Sequence, residues 1–222
     1  MNKQGENKIG WTDWTWNPIK GLCPINCFYC YARRLYKRFK WNPRLRFDDK
    51  ELSAPLSIKK PSKIFVCSTM ELFHPLIRNG WKKAIFEIIE QSKHTFQILT
   101  KLPERAPQFY PDNCWFGTTI TGMADISNLY QLISHTTAKV RFVSFEPLLE
   151  RMDINWLIPK GFEHLDWIVI GGLTPRPVHR KEWIDAIVNK ADEHNIPVFI
   201  KDNANYPIKR KGFPNETHRT AD

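Results

Sequence analysis

The 222-residue sequence lacks the features that mark several common functional classes. No run approaches the roughly 18 apolar residues expected of a membrane-spanning helix. Met1–Gly10 is polar and has no apolar signal core. There is no Gly-x-Gly-x-x-Gly motif and no phosphate loop, which argues against a nucleotide-hydrolysing or nicotinamide enzyme. There is no internal repeat and no low-complexity linker. Acidic residues are in the minority, 23 against 33 lysines and arginines, for a formal net charge of +10. A balance that far from zero points to a polyanionic partner or substrate without naming one. Cysteines number five, so a fully paired disulfide framework is excluded for the monomer. The expected location is the reducing cytoplasm, where clustered cysteines usually serve metal or redox chemistry.

What is present is a composition of 42% hydrophobic and 25% charged residues, which excludes disorder. The length suits one domain with a real core, or at most two small ones. Short β-rich runs alternate with amphipathic helical runs. Strands are expected at Thr12–Ile19, Lys63–Ser68, Thr95–Thr100, Cys114–Ile120, Val140–Phe145, Trp167–Ile170 and Pro197–Ile200. Helices are expected at Phe28–Phe39, Pro75–Ser92, Met123–His135 and Lys181–Glu193. In the first of these, Phe28, Tyr31, Ala32, Leu35, Tyr36 and Phe39 form one stripe. In the second, Pro75 stands near the first turn. The βα order and the nearly continuous apolar strands predict an α/β fold with a parallel sheet buried on both faces. Seven strands in one line fit a partial or full (β/α) barrel spanning residues 1–205, with a cysteine loop at 21–30, a basic segment at 31–63 and a basic tail at 206–222. In such barrels the chemistry gathers at the C-terminal ends of the strands.

Cys23-Pro-Ile-Asn-Cys27-Phe-Tyr-Cys30 follows the first strand. Cys27 and Cys30 are one helical turn apart at an expected helix start, and Cys23 on the loop can close over them. Thiolates are soft ligands for zinc or for iron–sulfur clusters. A structural zinc site takes about four protein ligands, so a fourth would come from Cys67, Cys114, His74 or another distant residue. Cys67, inside the expected strand, and Cys114, at the start of another, read as small buried residues.

The Cys-x3-Cys-x-aromatic-Cys pattern, with Tyr29 as the aromatic, resembles the signature of radical S-adenosylmethionine enzymes. The resemblance implies a [4Fe–4S] cluster on Cys23, Cys27 and Cys30, with one iron open to chelate S-adenosylmethionine. An electron from the cluster would cleave the sulfonium to a 5′-deoxyadenosyl radical. It also implies a partial or full (β/α) barrel and an electron donor such as flavodoxin or ferredoxin. Trp14–Gly21, Ile64–His74, His94–Arg105, Val140–Leu148 and Trp167–Gly172 resemble a phage-associated family, domain of unknown function 5131, over roughly Ile9 to Lys201.

Given that resemblance, Ser68, Thr69 and Glu71, after the second strand, are candidates for holding the cofactor's amino group; the alternative is an ordinary turn and cap. Thr118 and Thr119 are candidates for its ribose or carboxylate, or simply strand packing. Ser144 and Glu146 end another strand, where the carboxylate would bind cofactor hydroxyls or substrate, or else pair with a neighbouring arginine. Gly171 and Gly172 permit close approach of a flat ligand such as adenine, and equally a tight turn. Lys201, at the end of the last strand, is a candidate for phosphate or carboxylate, or a solvated lysine. His74 and Lys101 are weaker candidates of the same kind.

The charge is concentrated. Tyr31 to Lys63 holds 11 lysines and arginines against three acidic residues. Arg33, Arg34, Lys37, Arg38, Arg44 and Arg46 are interleaved with Trp41, Phe47 and tyrosines, a combination suited to DNA or RNA phosphates and bases. The alternative is a solvated helix face. The leading expectation is a radical S-adenosylmethionine enzyme acting on a nucleic acid or nucleotide. Behind it stand a zinc-stabilised nucleic-acid binder without catalysis and an iron–sulfur protein that only transfers electrons.

Overall fold

The computed structural model describes residues 1–5 and 8–214. It divides into two compact units, Met1–Thr100 and the part from Lys101 onward. The first unit contains β1 (Asn2–Lys3), β2 (Trp14–Trp16), β3 (Ile19–Lys20), α1 (Tyr31–Arg38), β4 (Arg46–Phe47), α2 (Asp49–Leu52), β5 (Lys63–Val66), α3 (Asn79–Glu90) and β6 (Thr95–Thr100). The second contains β7 (Cys114–Thr119), α4 (Ser127–His135), β8 (Val140–Phe145), α5 (Ile154–Leu157), β9 (Trp167–Ile170), α6 (Lys181–Glu193) and β10 (Val198–Ile200).

In the first unit β2, β5 and β6 are parallel neighbours in chain order. Trp14 registers with Ile64 and Ile64 with Phe96; Trp16 registers with Val66 and Val66 with Ile98. These side chains share one face of the sheet, and all but Trp14 are buried there. The sheet is not wholly parallel: β1 adds to β2 antiparallel, and β3 and β4 form a separate antiparallel pair. Two-residue strands carry no periodicity, so neither pairing is legible in the sequence.

In the second unit β7, β8, β9 and β10 are all parallel, again in chain order. Side chains that register across the strands point to one face. Gly117, Phe142 and Trp167 form one such row. Thr119, Ser144, Val169 and Phe199 form the next row toward the strand ends. Helix α4 packs on β7 and β8. Helix α6 buries Ile184, Ile187, Val188 and Ala191, the spacing of one helical face.

All seven expected strands are present, within a residue or two except at Thr12–Ile19, which is split into β2 and β3. The protein is a mixed α/β fold with mostly parallel strands flanked by helices. Among the described residues neither unit closes its own strands into a ring. Helix α3 starts at Asn79, and Pro75 lies in the exposed loop before it. The part of the tail that is described, 206–214, folds back: Phe199 bridges to Lys211, Trp167 Nε1 donates to the Gly212 carbonyl at 2.8 Å and Phe213 stacks on Trp167. Residues 215–222 of the expected tail lie outside the described residues. Among the described residues no helix is long and apolar enough to cross a membrane.

Candidate active site

The cysteine loop lies between β3 and α1. Gly21 opens it at φ +116°, where an added Cβ would stand 2.7 Å from the Arg44 carbonyl oxygen, so glycine is required. Cys27 and Cys30 are joined by a turn, Cys30 N–H donating to the Cys27 carbonyl at 3.2 Å. They do not share the first turn of the helix as expected. Cys30 is its N-cap, in extended conformation, and α1 begins one residue later. The expected stripe of α1 is also not buried, apart from Ala32. Phe28 is 85% exposed, because the turn carries it off the helix altogether.

Two contacts fasten the loop and the start of α1 to the region beyond β5, and a third ties α1 to the loop. The Glu71 backbone N–H donates to Cys23 Sγ at 3.4 Å. Tyr31 Oη donates to the Ser68 carbonyl at 3.0 Å. Arg33 Nη2 donates to the Cys23 carbonyl at 2.6 Å, so this arginine also positions the loop. All five cysteines are free thiols. Cys23, Cys27 and Cys30 are partly exposed, whereas Cys67 and Cys114 are buried. Burial raises the Cys23 pKa above the ordinary thiol value, with smaller contributions from the charges of Glu71 and Cys27.

Ser68, Thr69 and Glu71 do gather at the end of β5, as expected. Ser68 and Thr69 are organised by Asn17, which lies inside the Trp14–Gly21 motif and which sequence reasoning does not single out. Asn17 Oδ1 accepts from Ser68 Oγ, from the Thr69 N–H and from Thr69 Oγ1, each at 3.2 Å. The side chain of Glu71 is buried; its Oε1 accepts from Thr100 Oγ1 at 2.6 Å and from the Phe73 N–H at 3.1 Å. Cys67 is not inside the strand as expected. It follows β5 at φ +53°, donates its N–H to the Trp16 carbonyl at 2.8 Å, and has its thiol pushed up to about 12, mainly by burial and then by Glu71. His74 Nδ1 accepts from the Leu76 N–H at 3.2 Å, a local turn contact.

The second unit gathers a separate group at the ends of β8, β9 and β10. Lys201 Nζ pairs with Glu146 Oε1, so the carboxylate has a lysine partner and not the neighbouring arginine of the alternative reading. The lysine is only 14% exposed and is not simply solvated. Gly171 leaves the room for this pair: a Cβ there would stand 2.7 Å from Glu146 Cδ. Gly172 exchanges two hydrogen bonds with the Asn203 amide, at 2.8 and 3.3 Å. Ser144 is wholly buried, and its hydroxyl has no hydrogen-bond partner among the described residues. Thr119 shares its face, whereas Thr118 registers with Val143 on the opposite one.

The basic segment retains its exposed cations. Arg34, Lys37, Arg38, Lys40, Arg44 and Arg46 are exposed. Two of its three acids, Asp48 and Glu51, turn to Lys20, and Glu51 also pairs with the N-terminal amine. The tail cations behave differently: Arg210 pairs with Asp192 and Lys211 with Asp202.

Among the described residues no group of three or more His, Cys, Asp or Glu side chains stands in metal-ligating arrangement. The loop supplies donors of the soft type in Cys23, Cys27 and Cys30, three free, partly exposed thiols with no disulfide between them. The family model described as "Protein of unknown function (DUF5131)" matches residues 6–220, and the chain belongs to that family. Comparison with curated proteins and with solved structures gives no match.

Proposed function

We propose that this member of the DUF5131 family is a radical S-adenosylmethionine enzyme acting on a nucleic acid or nucleotide. The observation that carries the reading is the loop itself: Cys23, Cys27 and Cys30 are free and partly exposed, and they are fastened beside the polar group at the end of β5. The parallel strands that follow chain order within each unit support a (β/α) barrel of that superfamily. Cys23, Cys27 and Cys30 would hold a [4Fe–4S] cluster. When bound, such a cluster supplies the electron that cleaves S-adenosylmethionine to a 5′-deoxyadenosyl radical.

The chain's own residues then bind and orient. Ser68 and Thr69 present hydroxyl oxygens whose directions are fixed by Asn17, and they would accept from the cofactor's amino group. Tyr29 lies inside the loop, edge-on to Phe28 at 5.0 Å, where it would shield the thiols from water. Thr119 and the Ser144 hydroxyl, on one face at the ends of β7 and β8, would receive the hydroxyl-rich part of a ligand, while the space over Gly171 is held by Glu146. Lys201, placed by its pair with Glu146, would present its amine to a phosphate or carboxylate.

The test is anaerobic reconstitution with iron and sulfide. About four irons per chain and reductive formation of 5′-deoxyadenosine from S-adenosylmethionine are expected. Cys27→Ala should abolish both. A protein that takes up zinc in place of iron points to the zinc-stabilised binder. An iron–sulfur protein that leaves S-adenosylmethionine intact points to electron transfer alone. Either outcome overturns the proposal.

A further inference from the structure

Helix α1 connects two chemically different places. Its N-cap is Cys30 and its C-cap is Phe39. Nine steps of about 1.5 Å put them about 13–14 Å apart along the axis. The C-terminal end is closed by a Schellman-type bond, Trp41 N–H to the Tyr36 carbonyl at 3.1 Å. The ring contact that usually accompanies such a cap is present, with Tyr36 and Trp41 edge-to-face at 5.3 Å. Two features go beyond what a cap needs. Phe39 stacks on Trp41 at 5.3 Å and 22°, and both rings are about half exposed, 52% and 48%. The left-handed position after the cap, where glycine is the default, is occupied by Lys40 at φ +51°.

Cations surround the rings. The Arg38 guanidinium lies over Phe39 at 5.3 Å. Lys37, Lys40 and Arg44 are exposed and make no ion pair among the described residues. A stacked aromatic pair left half open to water and ringed by uncompensated cations has the chemistry that grips single strands: phosphates meet the cations and an unpaired base extends the stack. A duplex hides its base faces and can use only the charges.

From this arrangement we infer that the C-terminal cap of α1, Phe39–Trp41 with Arg38, Lys37, Lys40 and Arg44, is a binding platform for single-stranded nucleic acid. The role of that strand as substrate rests on the function proposed above; the binding itself does not. The platform stands at the far end of the helix whose first residue adjoins the cysteine loop, so a bound strand would be held beside the proposed chemistry.

The experiment is fluorescence anisotropy with labelled oligothymidylate and oligouridylate of about a dozen nucleotides, against a duplex of equal length, over a range of salt. Single strands should bind more tightly than the duplex. Phe39→Ala and Trp41→Ala should each weaken single-strand binding by roughly 5- to 150-fold and leave duplex binding nearly unchanged. Because Trp41 also closes the helix, Phe39→Ala and Lys40→Gly keep the test independent of folding; Lys40→Gly relieves the backbone. It should weaken binding to both oligonucleotides and lower the salt slope by about 0.7. Equal affinity for single strand and duplex, or single-strand binding indifferent to Phe39→Ala, overturns the platform. Reading binding on the Cys27→Ala protein, and S-adenosylmethionine cleavage without oligonucleotide, lets either proposal fail alone.

Discussion

Lys40 and Cys67 pose the same backbone problem in opposite surroundings. Both are non-glycine residues in the left-handed region, at φ +51° and +53°. The conformation costs roughly 1–2 kcal/mol, and glycine gives back about 0.4–1 through the entropy of the unfolded chain. At exposed Lys40 the side chain buries little, so Lys40→Gly should raise stability by about 0.5–1 kcal/mol in urea unfolding. At Cys67 the same relief is offset by the loss of a buried thiol, worth about 0.8 kcal/mol or more for each buried carbon or its equivalent. Cys67→Gly should therefore give no gain. The same burial that pushes the Cys67 thiol up to about 12 should leave it unmodified by iodoacetamide at neutral pH in the folded protein, while Cys27 and Cys30, partly exposed, are alkylated. Rapid labelling of native Cys67 would contradict its assignment as a packing residue. The spacing of the cysteines separated three loop thiols from two strand-associated ones. It could not show that Cys67 sits just beyond its strand, because a backbone sign is not written in the side-chain pattern.

At the scale of elements, the strands show why periodicity succeeds where helical spacing fails. Trp167–Ile170 reads correctly because residues buried on both faces leave a continuous apolar run, and Val140–Phe145 because its run is broken only by Arg141 and Ser144. Phe28, Tyr31 and Phe39 also repeat at helical spacing, yet all three are exposed. Spacing reports which residues share a face and not whether that face is covered. Strand β7 shows what packing adds. Gly117 registers with Phe142, and a Cβ there would stand 2.7 Å from three atoms of the Phe142 ring. Gly117→Ala should thus destabilise by about 1–3 kcal/mol through overpacking. Adding Phe142→Leu should return part of that loss, since the clash is with ring atoms. A double-mutant cycle in urea that gives simple additivity would mean that the strand shifts to make room.

For the molecule as a whole, charge divides into a structural part and an unspent part. Carboxylates of the second unit take up the tail: Asp192 with Arg210 and Asp202 with Lys211, each held below the usual carboxylate range first by a hydrogen bond from its basic partner. Groups of that kind stabilise above the unfolded pKa, and their contribution is lost as pH falls through the lower folded one. The exposed cations of 31–63 have too few acids to pair with, and the excess of positive charge visible in the sequence survives there as surface. Asp166 has the opposite sign. Burial raises its pKa from 3.8 to about 7, with the Arg141 N–H donating to Oδ2 at 2.8 Å. In that window the folded chain holds a proton that the unfolded chain has released, so stability falls as pH rises from about 4 to about 7. Asp166→Asn keeps an amide oxygen toward the Arg141 N–H and removes the titration. Its thermal midpoint should stay close to that of the parent protein near pH 4 and rise progressively above it toward pH 8. A difference that is constant across that range would mean that Asp166 is ionised in the folded protein throughout, and that the alkaline limb has another source.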